Sequence, residues 1–400
     1  MMNRNLTIVV GQRRRHSVIR AGMCVLASVL MLALAAQVQA QTFDQAISTA
    51  LGTGVFAPGP ACKTPIPGSK LNSLCAEGPT LSGAASSGSI TALSDERFRA
   101  DETLRADERR KAERVIGPVN VFISGDYERF DKNVTTFEAG HKTNTARVAL
   151  GADYAFSNRF LVGGAFKYGT DDGRFDAGGD FKTDSYGLQM YGNFVPAANA
   201  FVNGTAGYTR ASSSINRLAS IARGGPTSTL GAVGGDTNSN AFNVGVNGGY
   251  DFSFQSVTVG PRVGLRYKRT ETGSYREVGS TGLELAYDAQ TEKSLTSVLG
   301  AQGSVAIITR FGVVVPQATV EYVHEFQDSQ RFISFRFVDN LTAGPFSFQN
   351  DPPDRNYFNL GLGVAVVWPR GISGFANYRG LAGYKDQSRH TFTIGLRIEL

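Results

Sequence analysis

From Gly117 to the C-terminus, apolar and polar residues alternate one by one, and this period constrains the fold more than any other feature of the chain. The last residues, HTFTIGLRIEL, put Phe392, Ile394, Leu396, Ile398 and Leu400 on one parity and Thr391, Thr393, Gly395, Arg397 and Glu399 on the other. Successive side chains of a β-strand point to opposite faces, so one face demands an apolar medium and the other demands water. SNAFNVGVNGGYDFSF repeats the pattern, with Phe242, Val244, Val246, Tyr250, Phe252 and Phe254 opposite Asn243, Gly245, Asn247, Gly249, Asp251 and Ser253. VTVGPRVGLRYKR, TARVALGADYAF and NYFNLGLGVAVVW do the same, and they set Arg262, Arg266, Arg147 and Asp153 on polar faces.

The period predicts about twelve strands, near 118–127, 145–156, 160–169, 181–195, 199–210, 239–254, 257–269, 293–308, 311–326, 354–368, 372–382 and 389–400. Most exceed the five to six residues usual in soluble sheets, and tilted strands of about ten are what a bilayer requires. The connections alternate in length. SNR, PAAN, QS, TR and PRG are tight turns, whereas DGRFDAGGD, 211–238, 270–292 and 327–353 are long loops. Short turns on one rim and long loops on the other define an up-and-down outer-membrane barrel, with turns in the periplasm and loops outside. The fold class expected is therefore all-β and transmembrane, an antiparallel barrel of about twelve strands. A soluble sandwich or lipocalin-like barrel would turn the Phe- and Tyr-rich faces inward, leaving a wide interior to fill. In the barrel reading, Arg147, Asp153, Asp251, Arg262 and Arg266 face the lumen.

The first 40 residues hold a basic stretch with Arg13, Arg14, Arg15 and Arg20, an apolar run from Met23 to Ala36 and a Val38-Gln39-Ala40 site. These are the parts of a secretory signal peptide cleaved after Ala40. Cys24 precedes the apolar run and follows Met23, which excludes a lipoprotein site. Removing this segment takes five of the 40 Lys and Arg and none of the 34 Asp and Glu, leaving a net charge of +1. Nucleic-acid binding loses its electrostatic basis at that balance. Cys62 and Cys75 remain, and a disulfide closing a small loop is the default for such a pair in an exported chain.

Residues 41–93 are rich in Gly, Pro, Ser, Ala and Thr without a sustained period, which reads as a linker or a small looped module. SDERFRADETLRADERRKAERVIG follows, and residues 94–116 predict one helix. Asp95 and Glu96 sit in its first turn and Arg110, Lys111 and Arg114 near its last, as the helix dipole favours. A helix polar on nearly every face lies in water, pairs through charges or occupies a wet cavity.

Catalytic constellations are not found in the sequence. The mature segment has three His, none set with a Ser and an acid, and no G-x-S-x-G elbow occurs. GLGVAV at 361–366 lies inside a strand with no helix after it, so its glycines read as small lumen positions. Asp171, Asp172, Asp176 and Asp180 share one predicted loop, but their spacing matches no established calcium loop, and a solvated hairpin is expected. Neither enzyme activity nor a metal or cofactor is predicted.

LELAYDAQTEKSLTSVLGAQGSVAI (283–307), PQATVEYVHEFQDS (316–329), FNLGLGVAV (358–366), GFANYRGLAGYK (374–385) and the C-terminal HTFTIGLRIEL resemble the translocator domain of bacterial autotransporters, the type V secretion family. The resemblance covers 117–400. It implies a twelve-stranded barrel, a polar helix threading the pore and an upstream passenger delivered to the cell surface. The 94–116 helix stands where that pore helix would be. Outer-membrane lipid, the barrel-assembly machinery and periplasmic chaperones are the implied partners of a monomer, and Phe392, Ile394, Leu396, Ile398 and Leu400 the implied assembly signal. The chain departs from the pattern in three ways. It ends on Leu400 rather than Phe or Trp, has only residues 41–93 as a vestigial passenger, and reads ERVIGPVN at the junction, without the Asn-Asn pair of self-cleaving relatives. A surface structural or adhesive protein using its long loops, with a ligand the sequence does not identify, and a simple diffusion pore are the alternatives.

Overall fold

The computed structural model describes residues 119–400, except 158, 198, 223–226 and 370, together with Ile47, Ile66 and residues 69–71. The expected signal peptide (1–40), the rest of 41–93 with Cys62 and Cys75, and the 94–116 helix lie outside the described residues.

Alternation becomes strand wherever it was expected, and in several places runs further. The first six strands are β1 (Val119–Lys132), β2 (His141–Ser157), β3 (Phe160–Phe175), β4 (Gly179–Ala197), β5 (Ala200–Ala222) and β6 (Thr227–Tyr250). Next come β7 (Phe252–Phe254), β8 (Val257–Thr272), β9 (Tyr275–Arg276), β10 (Leu285–Tyr287), β11 (Gln290–Val305) and β12 (Ile307–Ile308). The chain ends with β13 (Val313–Glu325), β14 (Phe332–Phe337), β15 (Phe346–Gln349), β16 (Asn356–Trp368), β17 (Ile372–Ala382) and β18 (Gln387–Glu399). Twelve long strands, β1 to β6, β8, β11, β13 and β16 to β18, each pair antiparallel with their neighbours in sequence, while β7 and β12 prolong β6 and β11 at one rim. The wall closes where β18 returns to β1, in register from Asn120↔Glu399 to Lys132↔Gln387. Closure leaves no strand edge to pair with another chain.

Both termini of the wall lie on the rim of tight turns, where the Leu400 N–H donates to the Val119 carbonyl at 2.9 Å. Loops between β1 and β2, β5 and β6, β8 and β11, and β13 and β16 occupy the other rim. Within the stretch 211–238, expected as loop, residues 211–222 and 227–238 are instead strand: β5 and β6 stay paired from Ala200↔Tyr250 up to Ala222↔Thr227 with one bulge beside Ser220. Its outer residues are mostly small or polar, with Ser212, Ser214, Asn216, Asp236 and Asn238 among them, so the apolar half of the alternation thins while the hydrogen-bonded ladder continues.

The outer face carries the apolar parity. Leu150, Phe166, Leu188, Met190, Val246, Val263, Leu299 and Leu362 are exposed there, as are Phe392, Ile394, Leu396, Ile398 and Leu400 of β18. Aromatic rows border this belt. Near the turn rim stand Tyr154, Phe156, Phe160, Phe194, Tyr250 and Phe252, with Tyr154, Phe156 and Phe160 in successive ring contact at 4.8 and 5.6 Å. Nearer the loops, Tyr127, Tyr168, Tyr208 and Tyr322 each donate a hydroxyl to an amide or carboxylate oxygen, on Asn144, Asp184, Asn240 and Asn356, at 2.5–3.1 Å. In every case the acceptor sits opposite the residue two places further along the tyrosine's strand. An apolar ring with its polar tip turned to water marks a lipid–water boundary.

Beyond that boundary the long strands rise clear of the belt, and the loops fold onto their inner face. β9, β10, β14 and β15 form a four-stranded sheet of their own. This sheet packs with Phe175, Phe181, Ile215, Ala219 and Val233 of the barrel wall into one buried apolar cluster.

Candidate functional site

Two regions could carry function: the inner wall of the barrel and the loop-built cap over its mouth.

Large side chains on the inner wall lie flat across neighbouring glycines. The Phe122 ring occupies the space that a Cβ at Gly151 would need, and Phe201 leaves 2.6 Å for one at Gly249. A bulkier residue at either position would push the ring off the wall, so the glycines of the polar parity are close-approach positions.

Charges on the wall are paired across strands. Asp153 of β2 accepts from Arg397 of β18 at 2.8 and 2.9 Å, from the Tyr191 hydroxyl at 2.9 Å and from the Asn120 amide at 2.8 Å. The Asp153–Arg397 contact passes over β1, a reach that a concave face shortens. Arg262 meets Asp251 at 2.6 Å and its guanidinium lies 4.6 Å from the Phe201 ring centre. Arg266 reaches Glu321 at 3.7 Å, over the intervening β11. Arg147 and Arg389 both flank Glu128, at 3.6 and 3.7 Å. Between these levels Gln302 donates to Gln317 at 3.2 Å and Gln317 to Asn377 at 3.4 Å. Arg147, Asp153, Asp251, Arg262 and Arg266 thus each pair with a charge on a neighbouring or next-but-one strand. Of their partners, Arg397 stands on the polar parity that the last strand shows in sequence, whereas the sequence does not single out Glu128 and Glu321. Both signs are interspersed, so this surface presents no ring of one charge of the kind that selects an ion.

The cap is built around a buried ion pair. Arg217, on the inner parity of β5, donates through Nε and Nη2 to the two Glu277 carboxylate oxygens at 2.6 Å each and through Nη2 to the Leu283 carbonyl at 2.8 Å. Glu277 also accepts from the Leu285 N–H at 2.8 Å. One bidentate contact thus fastens the β9–β10 hairpin to the wall. Burial is the strongest single influence and opposes the Arg217 charge, but the Glu277 carboxylate together with Tyr287 and Tyr275 holds the guanidinium above its ordinary range. Tyr275 and Tyr287 stack beside the pair at 4.8 Å, and Phe335, Phe337, Phe346 and Phe348 fill the far side.

Glu284 organises the neighbouring turn. Its carboxylate accepts from the Thr281 N–H at 2.6 Å, the Gly282 N–H at 2.8 Å and the Thr281 hydroxyl at 3.0 Å. Burial would raise its pKa, but these donors outweigh it and hold the carboxyl below its usual range. A second clamp joins Lys132 to Glu138 at 3.3 Å and to Asp351 at 2.8 Å, tying the β1–β2 loop to the β15–β16 connection. The aspartates weighed for calcium are dispersed: Asp171 takes the Thr145 hydroxyl at 2.5 Å, while Asp180 accepts from Asn216 on the neighbouring strand.

Two apolar residues from ahead of the barrel complete the cap. Ile47 and Leu71 are buried in its cluster, 6% and 2% exposed, and the Leu71 N–H donates to Asp339 Oδ2 at 3.1 Å.

The Autotransporter beta-domain family matches residues 121–379. Outer membrane protein A of Rickettsia conorii is 26% identical over 238 residues, which are 57% of this chain and 11% of that protein. Outer membrane protein B of Rickettsia prowazekii is 28% identical over 236 residues, 57% of this chain and 14% of that protein. The chain thus spans a small part of the length of these relatives. Among solved structures, the translocator domain of autotransporter NalP from Neisseria meningitidis aligns with a TM-score of 0.56 at 17% identity, covering 75% of this chain and 98% of that one. The beta domain of the Bordetella autotransporter BrkA aligns with a TM-score of 0.51 at 18% identity, covering 71% and 100%. These two share its fold.

Proposed function

Since this chain belongs to the autotransporter β-domain family, whose barrels are outer-membrane translocators, we propose that its barrel carries the segment ahead of it to the cell surface and keeps part of that segment on display there. One observation carries the reading. Ile47 and Leu71 pack at the loop end, whereas the wall begins at Val119 on the turn rim. A closed wall with an apolar outer belt leaves the lumen as the only wet route for the chain between them. The 94–116 helix is that route's occupant in this reading. At about 1.5 Å per residue its 23 residues would span about 35 Å, and its width of about 10–12 Å suits a twelve-stranded bore.

Deleting residues 94–116 should leave a folded barrel with a markedly larger single-channel conductance in planar bilayers. Unchanged conductance would place the helix outside the pore and remove the translocator mechanism. A tag near residue 80 should be cut by protease added to intact cells. The barrel-assembly machinery would read the outward stripe from Phe392 to Leu400.

The chain is further read as non-enzymatic. His324 bonds Asn356 at 2.8 Å, His390 bonds the Tyr378 hydroxyl at 2.8 Å, and His141 sits among the Phe130, Phe175 and Phe181 rings. These engagements are structural in kind. The cap, a folded surface that a bare pore does not need, favours surface interaction as the second reading.

A further inference from the structure

We infer that the loop-built cap is a docking site for the chain's own N-terminal segment, which completes the cap's core and is held there instead of being released or left free. Three independent features of the loops are shaped to this occupant. First, Ile47 and Leu71 are buried among the aromatic and aliphatic residues supplied by β10, β14 and β15, so the cluster without them would expose apolar surface to water. Second, Asp339 turns a carboxylate oxygen to the Leu71 N–H, and so meets a backbone donor that the apolar surroundings would otherwise strand. Third, Gly282 stands where the segment crosses the β9–β10 turn. A Cβ there would lie 2.8 Å from the Lys70 carbonyl carbon and 2.9 Å from the Leu71 nitrogen, and φ at Gly282 is +82°. Only glycine lets the two backbones approach so closely, and Glu284 fixes that turn through the Thr281 and Gly282 amides. By contrast Ile66, five residues before Leu71, points to solvent at 48% exposed. The dock therefore recognises particular side chains of the segment and not its general hydrophobicity.

The location of the dock on the cell surface rests on the translocator reading, but the dock itself does not, and the test separates them. In purified full-length mature protein in detergent, trypsin should cut the Lys70–Leu71 bond slowly in the wild type and in Ile66→Asp. It should cut at least ten times faster in Leu71→Asp and in Gly282→Val, while both keep the heat-dependent gel shift of a closed barrel. The Leu71 amide of the wild type should also exchange its proton at least a hundredfold more slowly than an unprotected amide. Rapid exchange of that amide, or equal cleavage of wild type and variants, would overturn the dock, and the exchange measurement stands even where a variant fails to fold. In intact cells, trypsin should reach the Lys70–Leu71 bond of Leu71→Asp without permeabilisation. If it does so only after the outer membrane is opened, the translocator reading fails and the dock survives.

Discussion

Leu396 and Arg397 are adjacent and make opposite demands. Leu396 faces outward from the belt, so Leu396→Arg should sharply lower the yield of assembled barrel, at about 2–4 kcal/mol for Arg near the midplane of a bilayer. From alternation alone Arg397→Leu is expected to be harmless, as lumen positions usually are. The ion pair changes that expectation, because Asp153 is fully buried and would lose the guanidinium it pairs with. Arg397→Leu should lower the melting temperature measurably, and Arg397→Lys should recover part of the loss. Arg217 is more demanding: Arg217→Met leaves Glu277 buried without its partner, a loss of about 3–5 kcal/mol from the cap, and removing both charges should restore most of it. Proteolysis of the β8–β11 loop against denaturant would read this. Glu284 sets the pH response. Its folded carboxyl lies below its unfolded value, so its contribution is present above the ordinary carboxylate range and fades as pH falls through the folded value. The cap should loosen on acidification below about pH 4, and Glu284→Gln should reduce that dependence. Sequence periodicity identified the parity of Asp153 and Arg262 but not their partners. Arg397 lies 244 positions from Asp153, and only closure brings them together.

At the scale of elements, what could be read from sequence ends where the lipid ends. Inside the belt the outer parity must be apolar, so Phe242, Val244 and Val246 announce a strand. Past Tyr208 the outer face of the same strands meets water in place of lipid, and SSSINRLAS loses the signal while Ile215, Arg217 and Ala219 still point inward to the buried cap. The β10, β14 and β15 strands are three, six and four residues long, too short to show a sustained period, and fall inside the predicted loops. Their sheet shares its core with wall residues that stand beyond the lipid belt, such as Phe181 and Ile215, and not with the belt itself. Phe335→Ala should accordingly cost the cap about 3–5 kcal/mol, opening the loops to protease, while the barrel keeps its heat-dependent gel shift. A simultaneous loss of both would mean that cap and barrel unfold as one unit.

For the whole molecule, the pairing of β1 with β18 joins the first and last strands, so no closed wall can form before the C-terminal strand is present. Truncation before Gln387 should abolish the heat-dependent shift and leave two open edges prone to aggregation. The tyrosine row has a different kind of consequence. From Phe160 to Tyr168 β3 advances eight residues, about 27 Å of strand at about 3.4 Å each, and a tilt of about 40° reduces this to about 20 Å across the membrane. A typical hydrocarbon core is about 30 Å thick. In a bilayer of that thickness the barrel is a short peg in a thick board, and surrounding lipid would compress to meet it at a small cost for every ångström of mismatch, whereas the thinner bacterial outer membrane matches it more nearly. Membrane thickness becomes a sorting variable: unfolded protein should insert faster into vesicles of short-chain than of long-chain phosphatidylcholine, and in mixed bilayers the barrel should gather the shorter lipids around itself.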